Sequence, residues 1–136
     1  MPLNRAVLKG WLAGIAGDEG VNDVNAPHKI KALGVKVEST KSSSDVDYNE
    51  LIEVKTISSD GSERLVRGTL LGKGNDPRIV EVDGQAIEVR PVDLLLVVRN
   101  LDKPGIVGKL GTILGDHKVN IANMSLSRGD CGEIAL

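Results

Sequence analysis

Residues 94–124, LLLVVRNLDKPGIVGKLGTILGDHKVNIANM, constrain the fold of this chain more than any other stretch. Residues 94–98 are an unbroken apolar run, and its branched content predicts a strand buried on both faces. A polar turn follows over residues 99–103, closed by Pro104 and Gly105. A helix comes next. Pro104 suits its first turn, because the φ of proline is already helical and its missing N–H would be unpaired there anyway. Ile106, Leu110, Ile113 and Leu114 recur at helical spacing and mark a buried face. A second strand is predicted from Val119. In a strand–turn–helix unit the turn lies where the helix N-terminus presents free N–H groups to an anion or a carboxylate.

Upstream, residues 5–15 predict an amphipathic helix with Val7, Leu8, Trp11, Leu12 and Ile15 on its buried side. Asn25 can cap a second helix, with Pro27 in its first turn and Gly34 as its stop. Residues 35–38 alternate and predict a short strand, followed by a polar loop over residues 39–47. Residues 51–57 predict a strand with Ile52 and Val54 on one face and Glu53 and Lys55 on the other. Asp60 and Gly61 signal a turn into a partner strand over residues 64–71, with Gly68 at a bulge. Residues 78–82 and 85–89 flank Asp83 and Gly84, the strongest short hairpin signal in the chain. Pro91 breaks the last of these strands. The expected division is therefore a first domain at 1–91 and a second at 92–136. The fold class is α+β: a small domain of helices and antiparallel hairpins, then a βαββ unit ending in a third strand over residues 131–136. A full βαββαβ sheet would need another helix and strand after Leu136. Without them, the far side of the strand at 94–98 is an open edge, so the second domain is expected to be a fragment or to be completed by another chain.

Composition excludes several function classes. The net charge is −2, there is no basic run, and Trp11 and Tyr48 are the only side chains suited to stacking on bases, so nucleic acid is not expected. No apolar run approaches the ~18–20 residues of a membrane span. The start of the chain lacks a secretory apolar core with a cleavage site. The lone Cys131 excludes an internal disulfide and fits a reducing, cytoplasmic setting. With no Phe in the chain, the core must be aliphatic.

No catalytic centre is legible. His28 lies on a helix. His117 is placed to meet the last carbonyls of one. Ser42, Ser43 and Ser44 have no base nearby in the sequence, Cys131 has no partner, and no metal-ligand spacing occurs. Gly72, Lys73 and Gly74 lack the spacing and the following helix of a phosphate loop. Gly108, Gly111 and Gly115 sit within a helix, where each costs ~1 kcal/mol relative to Ala. Close packing, on the sheet or on another subunit, is the expected reason for them.

Binding residues stand out more clearly. Asn100 and Asp102 flank the strand-to-helix turn. Asp102 can accept from an ammonium group, and Asn100 can donate to a carboxylate and accept from an amine. The free N–H groups around Gly105 and Ile106 can take a carboxylate. Asn120 could approach from this chain or from a symmetry mate. Together they suit an α-amino acid, although helix capping and turn formation would use the same residues. Arg78 and Arg90 lie at the open end of the Asp83–Gly84 hairpin. In the register of a two-residue loop Arg78 opposes Val89, which starts the two arginines on opposite faces. A shared anion site then requires the strand end to twist or leave the sheet; otherwise the two are solvated charges.

These residues carry a family likeness. Residues 100–108, NLDKPGIVG, with Val119, Asn120, Ile121 and Ala122, resemble the opening half of an ACT domain, a ferredoxin-like small-molecule sensor. Residues 21–27, VNDVNAP, with Gly68 and Thr69 and then residues 77–84, PRIVEVDG, resemble the intervening (allosteric substrate-binding) domain of the D-3-phosphoglycerate dehydrogenases. The resemblance runs from about residue 2 to the end of the chain. It implies the regulatory part of an NAD-dependent oxidoreductase that opens serine synthesis. In that family L-serine binds at ACT dimer interfaces. The matching positions here are Asn100, Asp102 and Asn120, the last facing the others across a two-fold axis. Arg78 and Arg90 match basic residues that hold phosphate or another anion. The implied partners are L-serine or a similar small amino acid, phosphate or a phosphorylated substrate, and further copies of the chain. Two alternatives stay open: the regulatory domains of an iron–sulfur L-serine dehydratase, and a ligand-free oligomerisation module. Against the family pattern, the chain also begins partway into the intervening domain.

Overall fold

The computed structural model describes residues 2–17, 20–42, 48, 50–92, 94–101, 103–128 and 133–135. Its contacts divide the chain into two compact units, Met1–Asp45 and Val46–Leu136.

The first unit is a helical pair, α1 (Pro2–Ala16) and α2 (Ala26–Ala32). Leu8, Trp11 and Leu12 follow helical spacing, and their side of α1 meets Val21, Ala26 and Ile30. Leu12 and Ile30 are each 1% exposed, and full burial of side chains this size is worth roughly 1.5–3 kcal/mol apiece. Ile15, expected on the same side, is instead 62% exposed. The connection is tied by side chains. Asn22 Oδ1 accepts from the N–H groups of Val24 and Asn25, while Asn25 Oδ1 accepts from the N–H of Asn22. Asn25 Nδ2 and Lys29 Nζ both donate to the carbonyl of Gly20. Asn25 therefore does precede α2, but its side chain makes no cap hydrogen bond to the helix. Pro27 sits in the first turn, and Gly34, at φ +73°, takes the left-handed conformation that ends the helix. The strand expected at residues 35–38 is absent, because alternation alone supplies no partner ladder, and Val35 and Val37 stay exposed.

The second unit begins with an antiparallel meander in the order β1-β2-β3-β4: β1 (Leu51–Ile57), β2 (Glu63–Leu71), β3 (Asp76–Val82) and β4 (Gln85–Val89). Asp83 and Gly84 have φ of 50° and 83°, as the tight β3–β4 hairpin turn requires. Arg67 pairs in register with Glu53 on one side and Glu81 on the other. Its guanidinium bonds both carboxylates at 2.7 Å, a cross-strand ladder over three strands. The β2–β3 register shifts between Arg67 and Gly68, and the extra β3 residue is Val80, which is buried. Gly68 is the close neighbour of this bulge: a Cβ there would come within 3.3 Å of the Arg78 carbonyl.

A second sheet has the order β5-β7-β6, from β5 (Arg99–Leu101), β6 (Ser127–Arg128) and β7 (Glu133–Ala135), with α3 (Ile106–Asp116) between β5 and β6 in sequence. This βαββ order is consistent with a ferredoxin-like unit, and the whole chain is of mixed α and antiparallel β class. Several details differ from expectation. Residues 94–98 are not a strand: Leu94 is 92% exposed, and Leu95, Leu96 and Val97 are exposed too. An apolar run becomes a strand only where a neighbour accepts its ladder, and among the described residues pairing begins at Arg99. Likewise no strand starts at Val119; the chain is irregular until Ser127. On α3, Ile106, Leu110 and Leu114 are half-buried while Ile113 is exposed. The helix glycines are not tightly packed among the described residues, where a Cβ at Gly108, Gly111 or Gly115 would meet nothing within 4 Å. Within the expected third strand, Cys131 and Leu136 lie outside the described residues.

Candidate functional site

The strand-to-helix turn is built by β5, a short turn and α3. Asn100 is the middle residue of β5 and pairs with Ile134. Its Nδ2 donates to the Leu101 carbonyl at 2.9 Å. Its Oδ1 is buried and has no hydrogen-bond partner among the described residues. A buried acceptor without a donor costs roughly 1–3 kcal/mol, so this atom is poised to receive one. Pro104 lies in the turn before the helix rather than in its first turn, because α3 starts at Ile106. Gly105 takes the N-cap position with φ +88°, a conformation that favours glycine. As glycine it brings no side-chain oxygen, and among the described residues no side chain caps the α3 N-terminus. Of the first-turn N–H groups, that of Ile106 donates to the Lys103 carbonyl at 3.4 Å, and those of Val107 and Gly108 have no intrahelical acceptor. Asp102 lies outside the described residues. Asn120 is exposed on the irregular segment after α3, and no hydrogen bond joins it to Asn100 among the described residues. At the far end of α3, His117 Nδ1 lies 2.8 Å from the Ile113 carbonyl, the carbonyl contact its position suggests.

The arginine pair is placed by a register shift. Ile79, not Arg78, opposes Val89, because β4 carries one extra residue opposite Val80. One step further along, Arg78 and Arg90 fall side by side, so the strand irregularity removes the conflict that a regular hairpin would impose. Both reach one carboxylate: Asp76 Oδ2 lies 2.8 Å from Arg78 Nη2 and 2.6 Å from Arg90 Nη2. Hydrogen bonds from Arg78 and then Arg90 hold the Asp76 carboxyl below the ordinary carboxylate range, and the same bond raises Arg78. Sequence reading left Asp76 outside the strand at residues 78–82 and missed it. The signal was its i, i+2 spacing to Arg78, which puts two strand residues on one face.

Asp83 is a second residue that sequence reading assigned only to a turn. Its Oδ1 accepts from the N–H of Leu65 and its Oδ2 from Arg64, both at 2.8 Å, and Arg99 stands 3.7 Å away. These partners are distant in sequence, so no local pattern announces them. Among the described residues no group of His, Cys, Asp and Glu is arranged to hold a metal. No described helix is long and apolar enough to cross a membrane. His28 is exposed on α2, Lys73 and Gly74 lie in the β2–β3 turn with no helix after them, and Ser43, Ser44 and Cys131 lie outside the described residues.

Comparison with known proteins matches these elements to two families. The D-3-phosphoglycerate dehydrogenase intervening domain matches residues 1–83, and the ACT domain matches residues 94–135. Among curated relatives, the D-3-phosphoglycerate dehydrogenase of Synechocystis is 40% identical over 127 residues, 93% of this chain and 22% of its own. That of Mycobacterium leprae is 36% identical over 125 residues, 92% of this chain and 24% of its own. That of Bacillus subtilis is 34% identical over 134 residues, 98% of this chain and 25% of its own. The chain thus spans about a quarter of the length of the relatives it matches. It belongs to the D-3-phosphoglycerate dehydrogenase intervening-domain family and carries an ACT domain after it.

Proposed function

We propose that this chain is a regulatory, non-catalytic region: residues 1–91 form the intervening domain and residues 92–136 the ACT domain that senses L-serine or a similar small amino acid. One observation carries the reading, the buried Oδ1 of Asn100, which has no hydrogen-bond partner among the described residues, on the strand that leads to the N-terminus of α3. An α-amino acid has the complementary ends. Its ammonium donates to Asn100 and Asp102, and its carboxylate accepts from the N–H groups around Gly105 and Ile106. Asn120 closes the site from a second copy of the chain, which makes the site half of an interface in a homo-oligomer. Arg78 and Arg90 form a separate site for phosphate or a phosphorylated substrate. The parent protein is, on this reading, a cytoplasmic NAD-dependent dehydrogenase of serine synthesis. Its catalytic and nucleotide chemistry is assigned to no residue of this chain. For the effector to regulate it, serine must bind two states of the assembly with different affinity.

Calorimetry tests this. L-Serine titrated into the full chain, in a preparation shown by sedimentation to be dimeric, gives saturable heat at millimolar concentration, and Asn100→Ala abolishes it. An absence of heat from that dimer would refute serine sensing and leave a ligand-free oligomerisation module.

A further inference from the structure

We infer that Asp76 is a built-in competitor for the Arg78–Arg90 anion site and sets the charge an incoming ligand must carry. This rests on the reading of the two arginines as an anion site. Guanidinium groups from two strands converge on a single oxygen, Asp76 Oδ2. Two arginines aimed at one point outline the footprint of a small oxyanion, and a carboxylate of the chain itself stands in it.

The parts differ in freedom. Arg78 is anchored: its Nη1 also donates to the Pro77 carbonyl at 2.9 Å, and its side chain is only 21% exposed. Arg90 follows the last paired residue of β4 and is mostly exposed. Asp76 opens β3 directly after the turn that contains Gly72 and Asn75, both with positive φ. Rotation of its side chain disturbs no ladder hydrogen bond, since those are made by the backbone.

Charge decides which ligands succeed. Glu88 Oε1 stands 3.7 Å from Arg78 Nε, so with Asp76 in place the two arginines are balanced by two carboxylates. A monoanion that displaces Asp76 exchanges one carboxylate for an equivalent and gains little. A phosphoryl dianion brings close to two negative charges and three acceptor oxygens, enough to engage both guanidiniums at once. Asp76 therefore filters out chloride and monocarboxylates and admits phosphate or a phosphomonoester.

The test is calorimetry on the full chain at constant ionic strength, with inorganic phosphate and with acetate as probes. The wild type binds phosphate weakly and acetate not at all. Asp76→Asn binds phosphate about tenfold tighter, equivalent to about 1.4 kcal/mol, and gains measurable acetate binding. Arg78→Gln loses phosphate binding. Glu88→Gln, which removes the same charge from a longer and more exposed contact, changes phosphate affinity by less than about threefold. In the wild type the Asp76 carboxyl carbon resonance moves as phosphate saturates, a readout that needs no variant to fold. Equal phosphate affinity in wild type and Asp76→Asn, an equal gain in Glu88→Gln, or a static Asp76 resonance at saturation would overturn the competitor role while the anion site stands. Absence of phosphate binding to both wild type and Asp76→Asn would instead refute the anion site, and the inference with it.

Discussion

Leu12→Ala tests the packing of the first unit most directly. Leu12 is 1% exposed and is enclosed by Val21, Ala26 and Ile30. The substitution removes three buried carbons, worth about 2.4 kcal/mol at roughly 0.8 kcal/mol per carbon. A cavity contribution adds to this, within the roughly 2–5 kcal/mol range of such changes. A core of so few residues can close partly over the gap, and alanine is a slightly better helix former than leucine, so about 3 kcal/mol is expected. Trp11 is the only tryptophan of the chain and packs against this cluster. Its fluorescence during urea unfolding therefore reports this unit rather than the sheets. The comparison is Ile15→Ala. Helical periodicity places Ile15 with Leu12, but it is 62% exposed, so its loss should stay within about 0.5 kcal/mol. A Leu12→Ala cost below about 1 kcal/mol, or an Ile15→Ala cost equal to it, would refute the packing described.

Two further outcomes follow from local geometry. Gly105→Ala places a Cβ at φ +88° with no atom of the described residues within 4 Å, so its expected cost is backbone strain, about 1–2 kcal/mol. Hydrogen exchange of the α3 amides should accelerate accordingly, and unchanged exchange would contradict the left-handed N-cap. Asp76 has a depressed folded-state pKa, so its contribution to stability is present above the ordinary carboxylate value and is lost as pH falls through the folded value. The urea midpoint of the sheet should therefore drop on acidification more steeply in wild type than in Asp76→Asn; parallel pH profiles would show that the arginines do not hold the carboxylate.

Much of the fold is legible in the sequence. The four meander strands, the hairpin at Asp83 and Gly84, the helices α1 to α3 and the bulge beside Gly68 depend on period, turn chemistry and proline or glycine conformation. Those are properties of neighbours in sequence, so a local reading reaches them. The family likeness likewise rested on short motifs that the comparisons bear out. Where a local pattern needed a distant partner, it misled. Residues 35–38 and 94–98 have strand-like composition and are not strands, because a ladder is made by two segments and a sequence pattern describes one.

The candidate sites divide the same way. That Asn100 and Gly105 lie on a turn before a helix is written in the residues themselves. That the Asn100 oxygen is buried, with no partner among the described residues, is decided by what the fold brings over it. The charges and even spacing of Asp76 and Arg78 are local. Their meeting with Arg90 was decided by the register of β3 against β4, where one extra residue moves a side chain to the opposite face. The sequence by itself determined which elements form and which family the chain belongs to. Tertiary structure alone decided which carboxylate fills the arginine pair, because pairing across strands depends on distances that no sequence interval encodes.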